Sequence, residues 1–138
     1  MEEASGGCLC GAVRYRARGR LRDVVDCHCS RCRRTHGHVG AYTEVAAADL
    51  ALVADEGLRW YQDAGRERGF CARCGASLFW RRERAGRISI AAGTLDAPTG
   101  LRTVAHIFVG SKGDYYEITD GLPQRAESGE SAPRFRAT

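Results

Sequence analysis

The sequence lacks any long run of hydrophobic residues. A helix that crosses a bilayer needs about 20 consecutive apolar residues, and no stretch of the chain comes near that length. Residues 1–7 include Glu2 and Glu3 and have no apolar core of the kind that secretory signals carry. We therefore expect a protein that has no membrane partner and lies in the cytoplasm.

Lysine is nearly absent. Lys112 is the only lysine among the 21 lysine and arginine residues, and the formal net charge at pH 7 is +4. Arginine offers planar, bidentate donors for carboxylates or phosphates, so an acidic small molecule or a nucleic acid suits this composition. Acids such as Glu67 and Asp96 interrupt the basic residues, and no basic stripe interleaved with aromatics occurs, which disfavours nucleic acid.

The 138 residues are enough for one domain and too few for two. Apolar residues alternate with arginines over 13–18, which predicts a half-buried strand with a solvated arginine face. Further strands are expected at 21–26, 39–45, 50–53, 58–61, 77–80, 87–91, 106–109 and 115–118, with a turn or short helix at 33–38 and a loop or hairpin at 63–69. The fold prediction is mainly β, with the domain over 1–123 and a flexible tail over 124–138, which starts with little apolar content.

Cysteine carries the chemistry. The count of seven is odd, and in a reducing compartment thiols serve metal binding or catalysis more often than disulfides. Cys27, Cys29 and Cys32 lie within six residues, a spacing that presents three thiolates to one zinc ion. A fourth protein ligand would make this site structural, whereas an open position for water or substrate would make it catalytic.

The other four cysteines form two close pairs, each flanked by glycine. Their spacing groups them into one four-thiol structural zinc site, made of Cys8, Cys10, Cys71 and Cys74. Two alternatives remain open. One is a single four-cysteine site with three buried free thiols, and the other is a catalytic thiol or redox pair at Cys29 and Cys32, although no thioredoxin-like pattern accompanies it.

Three thiolates around zinc make a poor activator of water, because they leave the centre with surplus negative charge. A further thiol suits such a centre as fourth ligand, and it would be held there as a nucleophile. This points to chemistry on a thiol substrate, with Cys27, Cys29 and Cys32 as the catalytic residues.

Histidine offers another fourth ligand. His28 lies between two cysteines, where binding the same ion would be strained, while His36, His38 and His106 are sterically possible. For each of these three a polar core or surface role is the stronger hypothesis. We expect His106, at the start of an apolar strand, to line the substrate pocket.

Four segments together resemble the glutathione-dependent formaldehyde-activating enzyme and centromere protein V family, over about residues 6–123. They are GCLCGAVRY at 7–15, CHCSRCRR at 27–34, FCARCG at 70–75 and GTLD at 93–96, supported by HIF at 106–108 and SK at 111–112. The resemblance implies a single-domain β-tent of small antiparallel sheets with two zinc ions per chain. It assigns the structural zinc to the four-cysteine set and the second zinc to the three-cysteine set.

The resemblance also implies the condensation of glutathione with formaldehyde into S-hydroxymethylglutathione, the reverse being a carbon–sulfur lyase step. Our leading hypothesis is such a zinc-dependent lyase, whose substrate is a small glutathione-like thiol. Arg31, Arg33 and Arg34 could bind its carboxylates, although a solvated edge explains them equally well. The alternative, suggested by the centromere branch, is a non-catalytic zinc module that binds protein or nucleic acid. The N-terminal strand and exposed edges make a homodimer plausible.

Overall fold

The computed structural model of the chain describes residues 2–127. Its strands are β1 (Glu3–Gly7), β2 (Arg14–Arg18), β3 (Val24–Cys27), β4 (Gly40–Ala46), β5 (Leu50–Ala54), β6 (Leu58–Asp63), β7 (Arg66–Cys71), β8 (Ser77–Arg82), β9 (Arg87–Ala91) and β10 (Thr103–Ile107), and its α-helix is α1 (Ser30–His36). Short 3₁₀ turns occur at Ala47–Asp49, Ala92–Thr94 and Val109–Ser111. The prediction of a mainly β, single-domain fold is confirmed.

The smaller sheet has three antiparallel strands in the order β1-β2-β5. In β2 the predicted alternation is present, since Tyr15 and Ala17 are buried while Arg16 and Arg18 are exposed. The apolar face of this sheet therefore faces the core, and its arginine face is solvated.

The larger sheet has seven strands in the order β10-β3-β4-β9-β8-β7-β6. Its neighbours are antiparallel except β3 and β10, which run parallel and place Ile107 beside Cys27. This one parallel pair brings the C-terminal part of the domain next to the predicted second zinc site.

Side chains from both sheets form the main core, centred on Tyr15 of β2 and Phe79 of β8. Their rings meet edge to face, with centroids 5.3 Å apart. The Thr94 hydroxyl donates to the carbonyl of Ala91 at 2.7 Å, so the Tyr15 hydroxyl, also 2.7 Å away, donates to Thr94. Tyr15 thus has a partner for its only polar atom although it is fully buried.

Gly6 fits against this hydrogen-bonded corner only because it has no side chain. A Cβ at Gly6 would overlap the Tyr15 hydroxyl and the carbonyl oxygen of Thr94. We expect Gly6→Ala to lower the free energy of unfolding by roughly 1–3 kcal/mol, the usual cost of overpacking. Gly93→Ala is the matched control, since its Cβ would meet nothing within 4 Å. Urea unfolding at fixed zinc concentration measures both variants, and equal stabilities would contradict this packing.

The hairpin predicted at 63–69 is present, and β7 begins inside it at Arg66. Ala64 and Gly65 form its two-residue turn, both with positive φ, as the twist of paired strands requires. The strand predicted at 115–118 is wrong. Tyr115 and Tyr116 instead pack their rings against His38, with centroids 5.5 and 4.7 Å from its ring.

The first four residues of the predicted tail, 124–127, hydrogen-bond to the rest of the domain. Gln124 pairs with His106 in an isolated parallel β-bridge, and the Arg125 N–H donates to the His106 carbonyl at 2.9 Å. Residues 128–138, the remainder of that prediction, lie outside the described residues. Between residues 2 and 127, no helix has the length and apolar content to span a membrane.

Candidate functional site

The four-cysteine cluster joins two hairpins that belong to different sheets. Cys8 and Cys10 lie in the connection between β1 and β2, Cys71 ends β7, and Cys74 lies in the turn before β8. Their four sulfur atoms all lie within 4.8 Å of one another. The structure therefore gathers the residues that sequence spacing grouped into one set.

The sulfur spacing fits zinc. Four sulfurs at 2.3 Å from one tetrahedral centre lie about 3.8 Å apart. The Cys8 and Cys10 sulfurs are 3.7 Å apart, and those of Cys10 and Cys71 are 3.8 Å apart. The donor set is thus both chemically and geometrically suited to a closed zinc site.

Backbone amides favour the thiolate form in this cluster, and the thiolate is the form that binds metal. The N–H of Val13 donates to the Cys8 sulfur at 3.2 Å. A hydrogen bond from the backbone of Ala76 lowers the pKa of the Cys74 thiol to about 6. The local backbone is therefore arranged for metal ligation.

The three-cysteine cluster is built on the turn from β3 into α1. Cys27 ends β3, Cys29 caps the helix in an extended conformation, and Cys32 lies in the first helical turn. The N–H of Cys32 donates to the Cys29 sulfur at 3.3 Å. At the other end, Gly37 closes the helix with φ 76°, a conformation that favours glycine. The three sulfurs lie within 4.8 Å of one another.

The three sulfurs of this cluster hydrogen-bond to one another. Hydrogen bonds from Cys27 and Cys32 lower the pKa of the Cys29 thiol, and the bond to Cys29 raises the pKa of Cys27. Cys29 is also partly exposed, while Cys27 and Cys32 are buried. In the part of the chain that the structure describes, no fourth His, Cys, Asp or Glu joins the set. The cluster could hold a metal ion with one coordination position open.

His28 points its polar atoms away from this cluster into a chain of hydrogen bonds. Asp120 accepts from His106 Nε2 at 2.7 Å, so His106 Nδ1 accepts from His28 Nε2 at 2.9 Å. His28 Nδ1 then accepts from the Tyr116 hydroxyl. Burial lowers the pKa of His28 to about 4, which agrees with a neutral ring.

This series of hydrogen bonds, Tyr116–His28–His106–Asp120, fixes the backbone that carries Cys27 and Cys29. His106 is 4% exposed, and both of its ring nitrogens are engaged. The structure thus connects His106 to the cluster through His28, and its predicted role in lining the pocket stays a prediction. The sequence indicates neither of these contacts, because Tyr116 and Asp120 lie 88 and 14 residues from their partners.

The three candidate substrate-binding arginines of α1 have different surroundings. Arg31 forms an ion pair with Asp63 of β6. Arg33 is partly buried, with no hydrogen-bond partner for its Nε among residues 2–127, and Arg34 is exposed. Of the three, Arg31 is the least available to bind a substrate carboxylate, because its charge is already paired with Asp63.

A groove of about 250 Å³ adjoins the three-cysteine cluster. Tyr42 contributes to the groove wall and also packs with the buried Cys27 and Cys32. The other lining residues are Thr35, Tyr61, Arg68, Gly69, Phe70, Gly75, Ser77 and Phe79. Arg68 is a buried member that the sequence did not indicate, because its charged neighbours are typical of a solvated turn.

The family model for the glutathione-dependent formaldehyde-activating enzyme matches residues 3–111. The chain belongs to this family. The predicted family membership is thus confirmed, and the matched range contains all seven cysteines and Arg68. Tyr116 and Asp120 lie beyond the matched range.

Among solved structures, the chain is similar to a protein from Rhodobacter sphaeroides whose crystal structure came from a structural genomics programme. The two are 27% identical, with a TM-score of 0.58, and the match covers 72% of this chain and 97% of the other. No curated protein gives a significant match. The family therefore rests on the matched motifs, and the fold likeness agrees with it.

Proposed function

We propose that this chain is a zinc-dependent carbon–sulfur lyase that joins a small thiol to an aldehyde carbon and catalyses the reverse cleavage. Glutathione and formaldehyde are the substrate pair that the family description supports. The observation that carries the proposal is the three-cysteine cluster, with its partly exposed Cys29 and no fourth protein ligand within residues 2–127. Such an open position is the mark of a catalytic rather than a structural site.

In this proposal Cys27, Cys29 and Cys32 would hold the second zinc, and a zinc ion there would supply a Lewis acid that favours ionisation of a bound thiol. The substrate thiol loses its proton, its sulfur forms a bond to the carbonyl carbon, and the carbonyl oxygen gains a proton. No electrons leave the reactants, so no redox partner is needed. The reverse reaction breaks the same carbon–sulfur bond and regenerates the aldehyde.

Neighbouring residues shield the three-cysteine cluster from water and hold its backbone in place. Trp80, Ile107 and Phe108 pack against the three-cysteine cluster and limit the access of water to it. The hydrogen bonds of His28 hold the intervening backbone, so that the cluster keeps its shape. The geometry of a metal site depends on such supporting contacts.

The four-cysteine cluster has a different role in the proposal. We assign it a structural zinc, giving two zinc ions per chain. Its support is the four-sulfur geometry, in which the protein itself fills all four tetrahedral positions. A closed site of this kind has no position for substrate.

The alternative of a non-catalytic module that binds nucleic acid has no comparable support. Several arginines are already paired with acids on the surface, among them Arg14 with Asp96 and Arg73 with Glu56. Paired charges attract phosphates less than a free basic stripe does. We therefore argue the enzymatic function.

Exchange NMR on a mixture of glutathione and formaldehyde tests the reaction. We expect the zinc-loaded protein to accelerate exchange between free glutathione and its hydroxymethyl adduct above the spontaneous rate. A protein without zinc thiolate sites, at equal concentration, serves as the background control. An exchange rate equal to the spontaneous rate would reject this pair of substrates.

A further inference from the structure

Arg68 is a charged side chain held inside the protein. It lies on β7 and is 7% exposed. Its Nη1 is buried, and no residue of the described range accepts a hydrogen bond from it. Burying a charged donor without an acceptor is costly. An arginine in this state indicates an acceptor other than residues 2–127.

The charges around Arg68 leave a positive surplus. Its Nε is 3.9 Å from Asp63, too far for a good hydrogen bond. The same Asp63 carboxylate forms the ion pair with Arg31. Two guanidinium groups therefore share one carboxylate, and one positive charge remains for a further anion.

Arg68 also lines the groove beside the three-cysteine cluster. Tyr42 connects the two, since it belongs to the groove wall and packs with Cys27 and Cys32. Thr35 of α1, the helix that contains Cys32, lines the same groove. A carboxylate bound at Arg68 would thus lie in a groove whose wall also packs against the cluster.

We propose that Arg68 binds a carboxylate of the thiol substrate in this groove, and is a specificity-determining residue for acidic thiols. The inference rests on the proposed function for the thiol, while the carboxylate contact rests on Arg68 and its groove. A guanidinium can bind a carboxylate through two parallel hydrogen bonds, which fixes orientation as well as charge. This contact would take the place that the sequence suggested for Arg31, Arg33 and Arg34.

Binding of S-methylglutathione to the zinc-loaded protein isolates the carboxylate contact, because its sulfur carries no proton to lose. Its diethyl ester is the matched probe without carboxylate charge. We expect the ester to bind roughly 10- to 100-fold more weakly by isothermal titration calorimetry, the usual worth of a hydrogen bond to a charged group. Equal affinities for the acid and the ester would overturn the proposal without any mutation.

Variants then locate the contact. Arg68→Gln should remove most of the difference between acid and ester, and Arg68→Lys should keep part of it, because a charge remains without the planar fork. Arg18→Gln is the control for loss of one arginine, since Arg18 is exposed on β2 of the other sheet. Unchanged discrimination in Arg68→Gln would overturn the assignment.

Arg68 has a competing role as a counter-charge for the three thiolates. In that case Arg68→Gln would release the second zinc and leave the discrimination between acid and ester intact, which zinc analysis and calorimetry together would show. Failure of the proposed function gives a different result. Discrimination at Arg68 without any acceleration of formaldehyde exchange would reject that reaction and retain the carboxylate subsite.

Discussion

Cys74→Ala is expected to abolish the cooperative, folded state of this domain. Removing one of four ligands breaks a closed zinc site, and such sites contribute on the order of 10 kcal/mol of apparent folding free energy. The whole stability of a typical domain is about 5–15 kcal/mol. Loss of this site therefore leaves little or no net stability. Circular dichroism during heating, together with zinc analysis of the purified variant, measures the effect.

The size of this effect follows from where the cluster lies. The Cys10 and Cys71 sulfurs connect positions 61 residues apart, and the two hairpins they join belong to different sheets. Closing so long a loop removes much conformational freedom from the unfolded chain. A metal bound here would thus cross-link the two sheets as well as bind its four local ligands.

Arg73→Ala provides the control for the Cys74 variant. Arg73 lies in the same turn and is exposed, and its ion pair with Glu56 is on the surface. Such pairs contribute about 0–1 kcal/mol, so the melting temperature should change little. A folded Cys74→Ala protein with the melting temperature of the parent chain would refute the structural assignment.

The cysteine clusters could be predicted from sequence because their members are close in the chain or form recognisable pairs. The three thiols at 27, 29 and 32 needed only one turn of chain to meet, and the structure brings them together. The strand at 13–18 was equally predictable, since its alternation of apolar and arginine residues reports directly on burial. Local patterns carry this kind of information.

The groove and the histidine chain depend on pairing between distant strands, which no local pattern specifies. His28 meets His106 only because β3 and β10 pair in parallel across 78 residues. Arg68 is buried because β7 lies inside the larger sheet, with β6 and β8 as neighbours. The strand predicted at 115–118 is absent because the rings of Tyr115 and Tyr116 pack on His38 instead. Tertiary contacts thus decided each of these positions.

Cys29→Ala is expected to remove the proposed reaction while the fold remains. Cys29 is the partly exposed thiol of the three, so its loss removes one of only three sulfur ligands at the position nearest to solvent. We expect zinc to fall by one ion per chain and formaldehyde–glutathione exchange to return to the spontaneous rate. Ser30→Ala is the control, because Ser30 is the exposed neighbour at the start of α1.

The fold should survive Cys29→Ala because this cluster is local. Its cysteines span residues 27–32, so a metal there closes only a short loop and cross-links no distant strands. We expect a cost of no more than about 3 kcal/mol, as for ordinary single substitutions. Unfolding as complete as in Cys74→Ala would contradict the division between a structural and a catalytic cluster. Exchange retained at the parent rate would instead show that the chemistry does not depend on the three-cysteine site.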